Sequence, residues 1–227
     1  MIISHEYKFI FAHIGRTAGT SVEDSLLKAL QCPHPMQAKG ERHELILNSL
    51  YDGKEKLNPN LRHLNGKKHA TLEELKELAG AENFKHYFKF ATVRNPWDHE
   101  LSKYTKHISK ITGRKLNKRH FSKVSFDKHL TKCLLLRKSR RSTFLDFLSV
   151  DGRIEIDTLI HFERLEQDFQ RVCSEIGLAA KLQHNGDESR QRDKATSHGY
   201  RQYYSPAGKA LVGLLRNPDT AWLGYQF

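Results

Sequence analysis

The chain of 227 residues carries 38 Lys and Arg against 26 Asp and Glu, which gives a formal net charge of +12. That length suits one domain with a sizeable core and is short for two large ones. No apolar run approaches the roughly eighteen residues of a membrane span, and no charged-then-apolar leader precedes the first strand-like stretch. The sequence therefore predicts a cytoplasmic protein with neither a transmembrane segment nor a secretory signal.

The first predicted element is a strand, "YKFIFAHI" at 7–14, which a small-residue loop joins to a helix over 20–30. Such a junction aims backbone N–H groups and a helix N-terminus at an anion. The loop lacks the lysine of the nucleoside triphosphate motif G-x-x-x-x-G-K-[ST], because Thr20 and Ser21 follow Gly19 directly. The pattern predicts a phosphate-like ligand at this loop and argues against triphosphate binding of the usual kind.

The next stretch, 32–68, is predicted to form loops around a short helix near 42–51. A clear helix follows in "HATLEELKELAG", with Thr71 as its N-cap, Glu74 as the capping-box partner and Gly80 as its end. His69 lies just ahead of this helix. Histidine is the side-chain type suited to acid–base catalysis near neutral pH, which makes His69 a candidate general base, although its position alone favours a surface or packed histidine.

A second strand is predicted over 86–94 and a third over 157–162, each followed by a helix. Asn95 and Pro96 are typical of a helix start, so Arg94 stands at a second junction between a strand and a helix N-terminus. Strands that alternate with helices predict an α/β fold, a parallel sheet flanked by helices in a single domain. Loops that leave adjacent parallel strands face one crevice, so the two junctions could bind one ligand with two anionic groups.

The excess positive charge lies in one segment, 103–141, which holds fourteen Lys and Arg against one acid, Asp127. One interpretation is a solvated insertion of helices and loops. The other is an electrostatic surface for a polyanion, either a nucleic acid or an acidic polysaccharide. Charge alone leaves both interpretations open.

Cysteine and histidine spacing indicates neither disulfides nor a metal. Cys32, Cys133 and Cys173 are odd in number and lack C-x-x-C spacing, which favours reduced, structural thiols. None of the fourteen histidines forms an H-x-x-x-H or H-E-x-x-H pair. We expect no bound metal.

Several motifs resemble those of sulfotransferases that use 3′-phosphoadenosine 5′-phosphosulfate (PAPS), in particular the carbohydrate-type, family 2-like branch. "HIGRTAGTS" is similar to the loop that binds the 5′-phosphosulfate, and "VRNPWDHELSKY" is similar to the 3′-phosphate motif. "KHATLEELKELAG", "YFKFATVRNPW" and "LGYQF" look like further blocks in the family's order. The resemblance implies a P-loop-like fold and PAPS-dependent sulfation of a hydroxyl on a saccharide-type acceptor.

The resemblance also assigns residues. It implies that His69 is the general base and that Arg16 neutralises charge on the departing oxygen. It places the 5′-phosphosulfate at Arg16, Thr17, Ala18, Gly19, Thr20 and Ser21. It places the 3′-phosphate at Arg94 and Ser102. The chain departs from the family where Gly15-Arg16 replaces the usual Pro-Lys and where His99 replaces an arginine. Weaker candidates for the base are Glu73, Glu74 and His13.

The sequence leaves two other functions open. A member of the fold that binds the nucleotide without transferring sulfate would fit the Gly15-Arg16 departure. A nucleic-acid-binding protein would fit the basic segment, but that segment lacks interleaved aromatic residues and matches no common recognition motif, which makes nucleic acid the less favoured partner. The basic segment suggests an anionic acceptor, and the sequence indicates no oligomeric state.

Overall fold

The computed structural model describes residues 1–30, 69–113, 121–135, 143–183 and 199–227. These group into two compact units, the first formed by Met1–Val93 with Phe147–Asn185 and the second by Arg94–Asp146 with Gly186–Phe227. The helix predicted near 42–51 lies outside the described residues. The single domain expected from the chain length stays a prediction.

The first unit contains a four-stranded sheet in the order β1 (Ile2–Ser4), β2 (Phe9–Ala12), β3 (Phe88–Val93) and β6 (Thr158–His161). Strands β2 and β3 pair in parallel, as do β3 and β6, whereas β1 pairs antiparallel with β2. The prediction of an α/β fold with a parallel sheet is confirmed for the two pairings among β2, β3 and β6 and corrected at the edge, where β1 is antiparallel. The strands of the structure are β1 (Ile2–Ser4), β2 (Phe9–Ala12), β3 (Phe88–Val93), β4 (Ser149–Val150), β5 (Arg153–Ile154) and β6 (Thr158–His161).

The sheet is flanked by helices, and its central strand is buried on both faces. All four residues of β2 are inaccessible to solvent, as the continuous apolar run "FIFA" requires. Two 3₁₀ turns, Phe162–Arg164 and Gly199–Tyr203, accompany the α-helices. These helices are α1 (Gly19–Ala29), α2 (Leu72–Ala79), α3 (Ala81–His86), α4 (Pro96–Thr112), α5 (Lys123–Leu135), α6 (Phe144–Leu148), α7 (Leu165–Glu175), α8 (Pro206–Leu215) and α9 (Asn217–Leu223).

The predicted caps that position these helices are confirmed. Glu74 Oε2 accepts the Thr71 N–H at 2.8 Å, and Thr71 Oγ1 accepts the Glu74 N–H at 3.3 Å, which completes the capping box of α2. Asn95 Oδ1 accepts the Trp97 N–H at 3.0 Å at the start of α4. Each contact satisfies a backbone donor that the helix itself leaves without a partner.

The second unit is built around an aromatic core contributed by α4, α5, α8 and the turn at Gly199–Tyr203. The Tyr204 hydroxyl donates to the Trp97 carbonyl at 2.7 Å, and burial raises the pKa of this hydroxyl. The buried cluster comprises Trp97, Leu101, Tyr104, Phe126, Leu130, Tyr200, Tyr204 and Val212. This core holds the helix that follows Arg94.

Within the described ranges, no helix is both long enough and apolar enough to cross a membrane. Cys133 and Cys173 are free thiols, and burial raises the pKa of Cys173 to about 11. A thiol with such a pKa is protonated and unreactive at neutral pH. Cys173 is therefore a structural residue, as predicted.

Candidate functional site

The loop between β2 and α1 has a backbone conformation that favours anion binding. Arg16 and Ala18 lie in the left-handed region, with φ of 70° and 68°. Each such non-glycine residue costs roughly 1–3 kcal/mol, and such strain clusters at functional sites. Alternation between left-handed and other conformations turns successive N–H groups toward one side, which forms a concave cradle for an anion.

Helix α1 adds its N-terminus to this cradle. Ala18 occupies the N-cap position, and in the described part of the chain no side chain caps this end of the helix or places an acid in its first turn. The first N–H groups of a helix generally have no acceptor within it and lie at the positive end of the helix dipole. Here the Ser21 N–H donates to the Ala18 carbonyl at 2.9 Å. Gly19, Thr20 and Ser21 form this first turn, so the loop and the helix start together fit a phosphate or sulfate group.

Thr17 anchors the loop to the sheet. Its buried Oγ1 donates to the Ile14 carbonyl at 2.7 Å and lies 2.6 Å from the Thr92 hydroxyl on β3. Because the Thr17 proton is already donated to Ile14, the Thr92 hydroxyl donates in the second contact. The side chain of Thr17 thus has no proton left for an anion, and only its backbone N–H can serve one. The sequence pattern did not identify Thr92 as part of this arrangement.

His69 is brought next to the loop although it lies 54 positions after Gly15 in the chain. Its Nδ1 lies 2.8 Å from the His13 carbonyl oxygen, and its Nε2 lies 3.3 Å from the position that a Cβ on Gly15 would occupy. A carbonyl oxygen only accepts, so Nδ1 carries the proton and Nε2 is the nitrogen that can take one up. This tautomer suits a general base directed at the loop. Glu74, a weaker candidate for the base, is held in the capping box instead.

His13 is buried beside His69 and hydrogen-bonds to Glu23. The His13 Nδ1 lies 2.9 Å from Glu23 Oε2, and the amino group of Met1 donates to Oε1 at 2.8 Å. Burial lowers the pKa of His13 to about 3, although the hydrogen bond with Glu23 acts in the opposite direction. Burial opposes ionisation of Glu23, but the Met1 amino group and the His13 contact outweigh it and hold the Glu23 pKa well below its usual range. His13 is therefore neutral, and Glu23 is charged.

This pair predicts an acid-sensitive stability. His13 in the unfolded chain takes up a proton near pH 6.5, whereas folded His13 stays neutral down to about pH 3, so stability falls as the pH is lowered. We expect this group to remove about 2 kcal/mol of unfolding free energy between pH 7 and pH 5. Urea unfolding of wild type and His13→Gln over this range measures the effect. The variant should lose the one-proton slope, and equal slopes in the two proteins would disprove the assignment.

The second predicted junction lies in the second unit, at the start of α4. Arg94 is mostly buried, and its Nε donates to Asp98 Oδ2 at 2.6 Å, which orients the guanidinium group. This contact uses one of the five N–H donors of the group. Ser102 lies on α4 and is buried. The structure thus places both predicted 3′-phosphate residues on or directly before one helix.

His99 contacts a guanidinium group that lies 117 positions away in the chain. Arg216 Nη1 lies 3.0 Å from His99 Nδ1 and 2.5 Å from Glu100 Oε1, and Arg216 is almost wholly buried. An arginine only donates, so His99 accepts through Nδ1. Burial would raise the pKa of Glu100, but Lys103 and Arg216 outweigh it and lower this pKa to about 2. Sequence patterns did not single out Arg216, because nothing local marks it as buried.

The comparisons with known proteins identify one family. The sulfotransferase family model matches residues 1–213, which is most of the chain. No curated protein and no solved structure matches it. Within the described residues, no group of three or more His, Cys, Asp or Glu could hold a metal ion.

Proposed function

The chain belongs to the sulfotransferase family, and on this basis we propose that it transfers a sulfuryl group from PAPS to a hydroxyl of a saccharide-type acceptor. The observation that carries the proposal is the position of His69. Its Nε2 is directed at Gly15 in a loop whose backbone suits an anionic sulfate or phosphate. An anion cradle beside a correctly protonated base is what an acid–base sulfuryl transfer needs.

The donor carries two anionic groups, and we propose a separate set of residues for each. In our proposal the 5′-phosphosulfate binds to the loop, and the 3′-phosphate binds Arg94 and Ser102. The loop would act as a P-loop-like cradle without triphosphate hydrolysis. Its proposed ligands are Arg16, Thr17, Ala18, Gly19, Thr20 and Ser21, of which Thr17 contributes its backbone N–H.

PAPS supplies an activated sulfuryl group, and the chain supplies positioning and charge. Arg16 would neutralise the negative charge that develops on the departing phosphate oxygen, as an arginine can at any physiological pH. His69 Nε2 would take the proton of the acceptor hydroxyl as its oxygen bonds to sulfur. The His13 carbonyl, which accepts from His69 Nδ1, stabilises the imidazolium that this step creates.

Calorimetric titration with 3′-phosphoadenosine 5′-phosphate (PAP), the desulfated product, tests the donor assignment directly. We expect micromolar binding of PAP and much weaker binding of AMP and ATP, because only PAP carries the 3′-phosphate. Equal binding of all three would contradict the proposal and direct attention to the basic segment as a nucleic-acid site. PAP binding without any sulfuryl transfer would identify a non-catalytic member of the fold.

Arg94→Ala is expected to weaken PAP binding by roughly 1.5–3 kcal/mol, the contribution of a hydrogen bond to a charged group. At 25 °C this corresponds to a rise in Kd of roughly 10-fold to 150-fold. AMP binding should change little in the same variant. Arg153→Ala, at an exposed arginine of β5, is the matched control and should leave both affinities unchanged. Unaltered PAP affinity in Arg94→Ala would show that the 3′-phosphate binds elsewhere.

We further propose that the acceptor is anionic and that exposed lysines of α4 attract it. Lys106 and Lys110 are exposed and four positions apart, which places them on one face of the helix. A double Lys106→Gln, Lys110→Gln variant should raise the KM for an acidic polysaccharide and reduce its salt dependence, with the donor KM unchanged. Lys85→Gln with Lys181→Gln, two exposed lysines of the first unit, is the control. If the KM for the acidic polysaccharide is the same in the double variant and in wild type, this face of α4 does not attract the acceptor.

A further inference from the structure

His13 occupies a position from which it can control His69 without reaching a substrate. Its ring meets the His69 ring edge to face, with 4.7 Å between the centroids, and its own carbonyl accepts from His69 Nδ1. On another side the ring lies directly against Gly19, since a Cβ there would come within 2.6 Å of Nε2. His13 is 2% exposed, so the ring is enclosed by the sheet end, the loop and His69.

Glu23 on α1 holds this ring in one orientation. Its two carboxylate oxygens are both engaged, one with His13 Nδ1 at 2.9 Å and the other with the Met1 amino group at 2.8 Å. The carboxylate is charged, so it accepts from Nδ1–H and leaves Nε2 of His13 as the unprotonated nitrogen. Glu23 is 1% exposed and cannot itself meet a ligand.

We propose that His13 and Glu23 are positioning residues for His69, an inference that rests on the proposed role of His69 as the base. The chain of contacts runs from the Glu23 carboxylate to the His13 ring, and from the His13 backbone carbonyl to His69 Nδ1. The ring fixes the end of β2, and the carbonyl of that same residue selects the tautomer of His69. Proteins commonly use a carboxylate that accepts from one ring nitrogen of a histidine. This contact fixes the orientation of the ring and the tautomer of the imidazole.

The test measures activity and the state of His69 independently in the full chain. Glu23→Gln keeps the shape of the side chain and removes its charge, and His13→Gln removes the ring. In both variants we expect kcat to fall at least fivefold with the donor KM within twofold of wild type. ¹⁵N chemical shifts of the His69 imidazole should show the Nδ1-protonated tautomer in wild type and a mixture in the variants.

Glu82→Gln is the matched control, because Glu82 faces His86 in an exposed pair at 3.8 Å and should change neither measurement. If the His69 shifts and kcat stay at wild-type values in both variants, the positioning role is overturned. A fall in kcat with unchanged His69 shifts overturns it as well, since it indicates only general loosening. If wild type shows no sulfuryl transfer but the variants still shift the tautomer, the proposed function fails while the positioning role stands.

Discussion

Replacing His69 by alanine is expected to lower the rate of sulfuryl transfer by about a hundredfold or more, the usual effect of losing a general base. PAP affinity should stay within about twofold of wild type, because the proposed donor ligands lie in the loop and at Arg94. The physical reason is that Nε2 is the proton acceptor in the proposed mechanism. Steady-state rates together with calorimetry separate the two effects.

The matched control for this prediction is His86→Ala, which removes an exposed histidine of α3 in the same unit. That variant should transfer sulfate at the wild-type rate. A His69→Ala enzyme with wild-type turnover would remove His69 from the mechanism. In that event Glu73, an exposed residue at the start of α2, would be the next candidate for the base.

Gly19→Ala should be the most damaging single change in the loop. The added methyl group would come within 2.6 Å of His13 Nε2 and closer still to Cδ2, and the buried His13 ring is held by Glu23. Removing this steric clash requires either the His13 ring or the first turn of α1 to move. Overpacking of this kind costs roughly 1–3 kcal/mol. We therefore expect a lower unfolding free energy, and PAP affinity reduced tenfold or more because the N–H groups of the first turn shift.

Gly213→Ala is the control for that substitution. A Cβ on Gly213 would lie 4.0 Å from Trp97 Cζ2, an ordinary van der Waals distance, and the residue lies inside α8. Alanine is the better helix former by up to about 1 kcal/mol, so this variant should be as stable as wild type or slightly more stable. Urea unfolding and PAP titration of both variants give the comparison. Wild-type behaviour of Gly19→Ala would show that the loop is not packed as described.

Much of the fold could be predicted because its signals are local. The strand over 7–14 appears as Phe9–Ala12 and the strand over 86–94 as Phe88–Val93, since short apolar runs between turn residues indicate buried strands. Strand β1, with three residues, and helix α3, with six, escaped prediction because such short elements show little periodicity. The chain reverses before β2 through Lys8, at a φ of 52°, which makes the edge strand antiparallel.

Some features of the candidate site could likewise be predicted from local sequence, and others could not. The helix start at Asn95 was accessible from sequence, as were the proposals for an anion-binding loop and for His69 as the base, because residue type and spacing indicate that chemistry. The tautomer of His69 was not, since it depends on a carbonyl 56 positions earlier in the chain. Thr17 shows the difference, because the resemblance places this residue at the phosphosulfate without specifying an atom, and the structure shows its hydroxyl bonded to Ile14 and Thr92.

The sequence by itself therefore determined the class of fold and the helix caps, and its motifs indicated the family. Each of these depends on neighbours within about one turn of helix or one strand, where steric and hydrogen-bonding preferences act directly. Three contacts depended on the tertiary structure alone. Glu23 accepts from the His13 ring, the His13 carbonyl accepts from His69, and Arg216 donates to the buried ring of His99. These contacts join residues ten or more positions apart in the chain, and the burial that keeps His13 neutral exists only once the sheet and helices have packed.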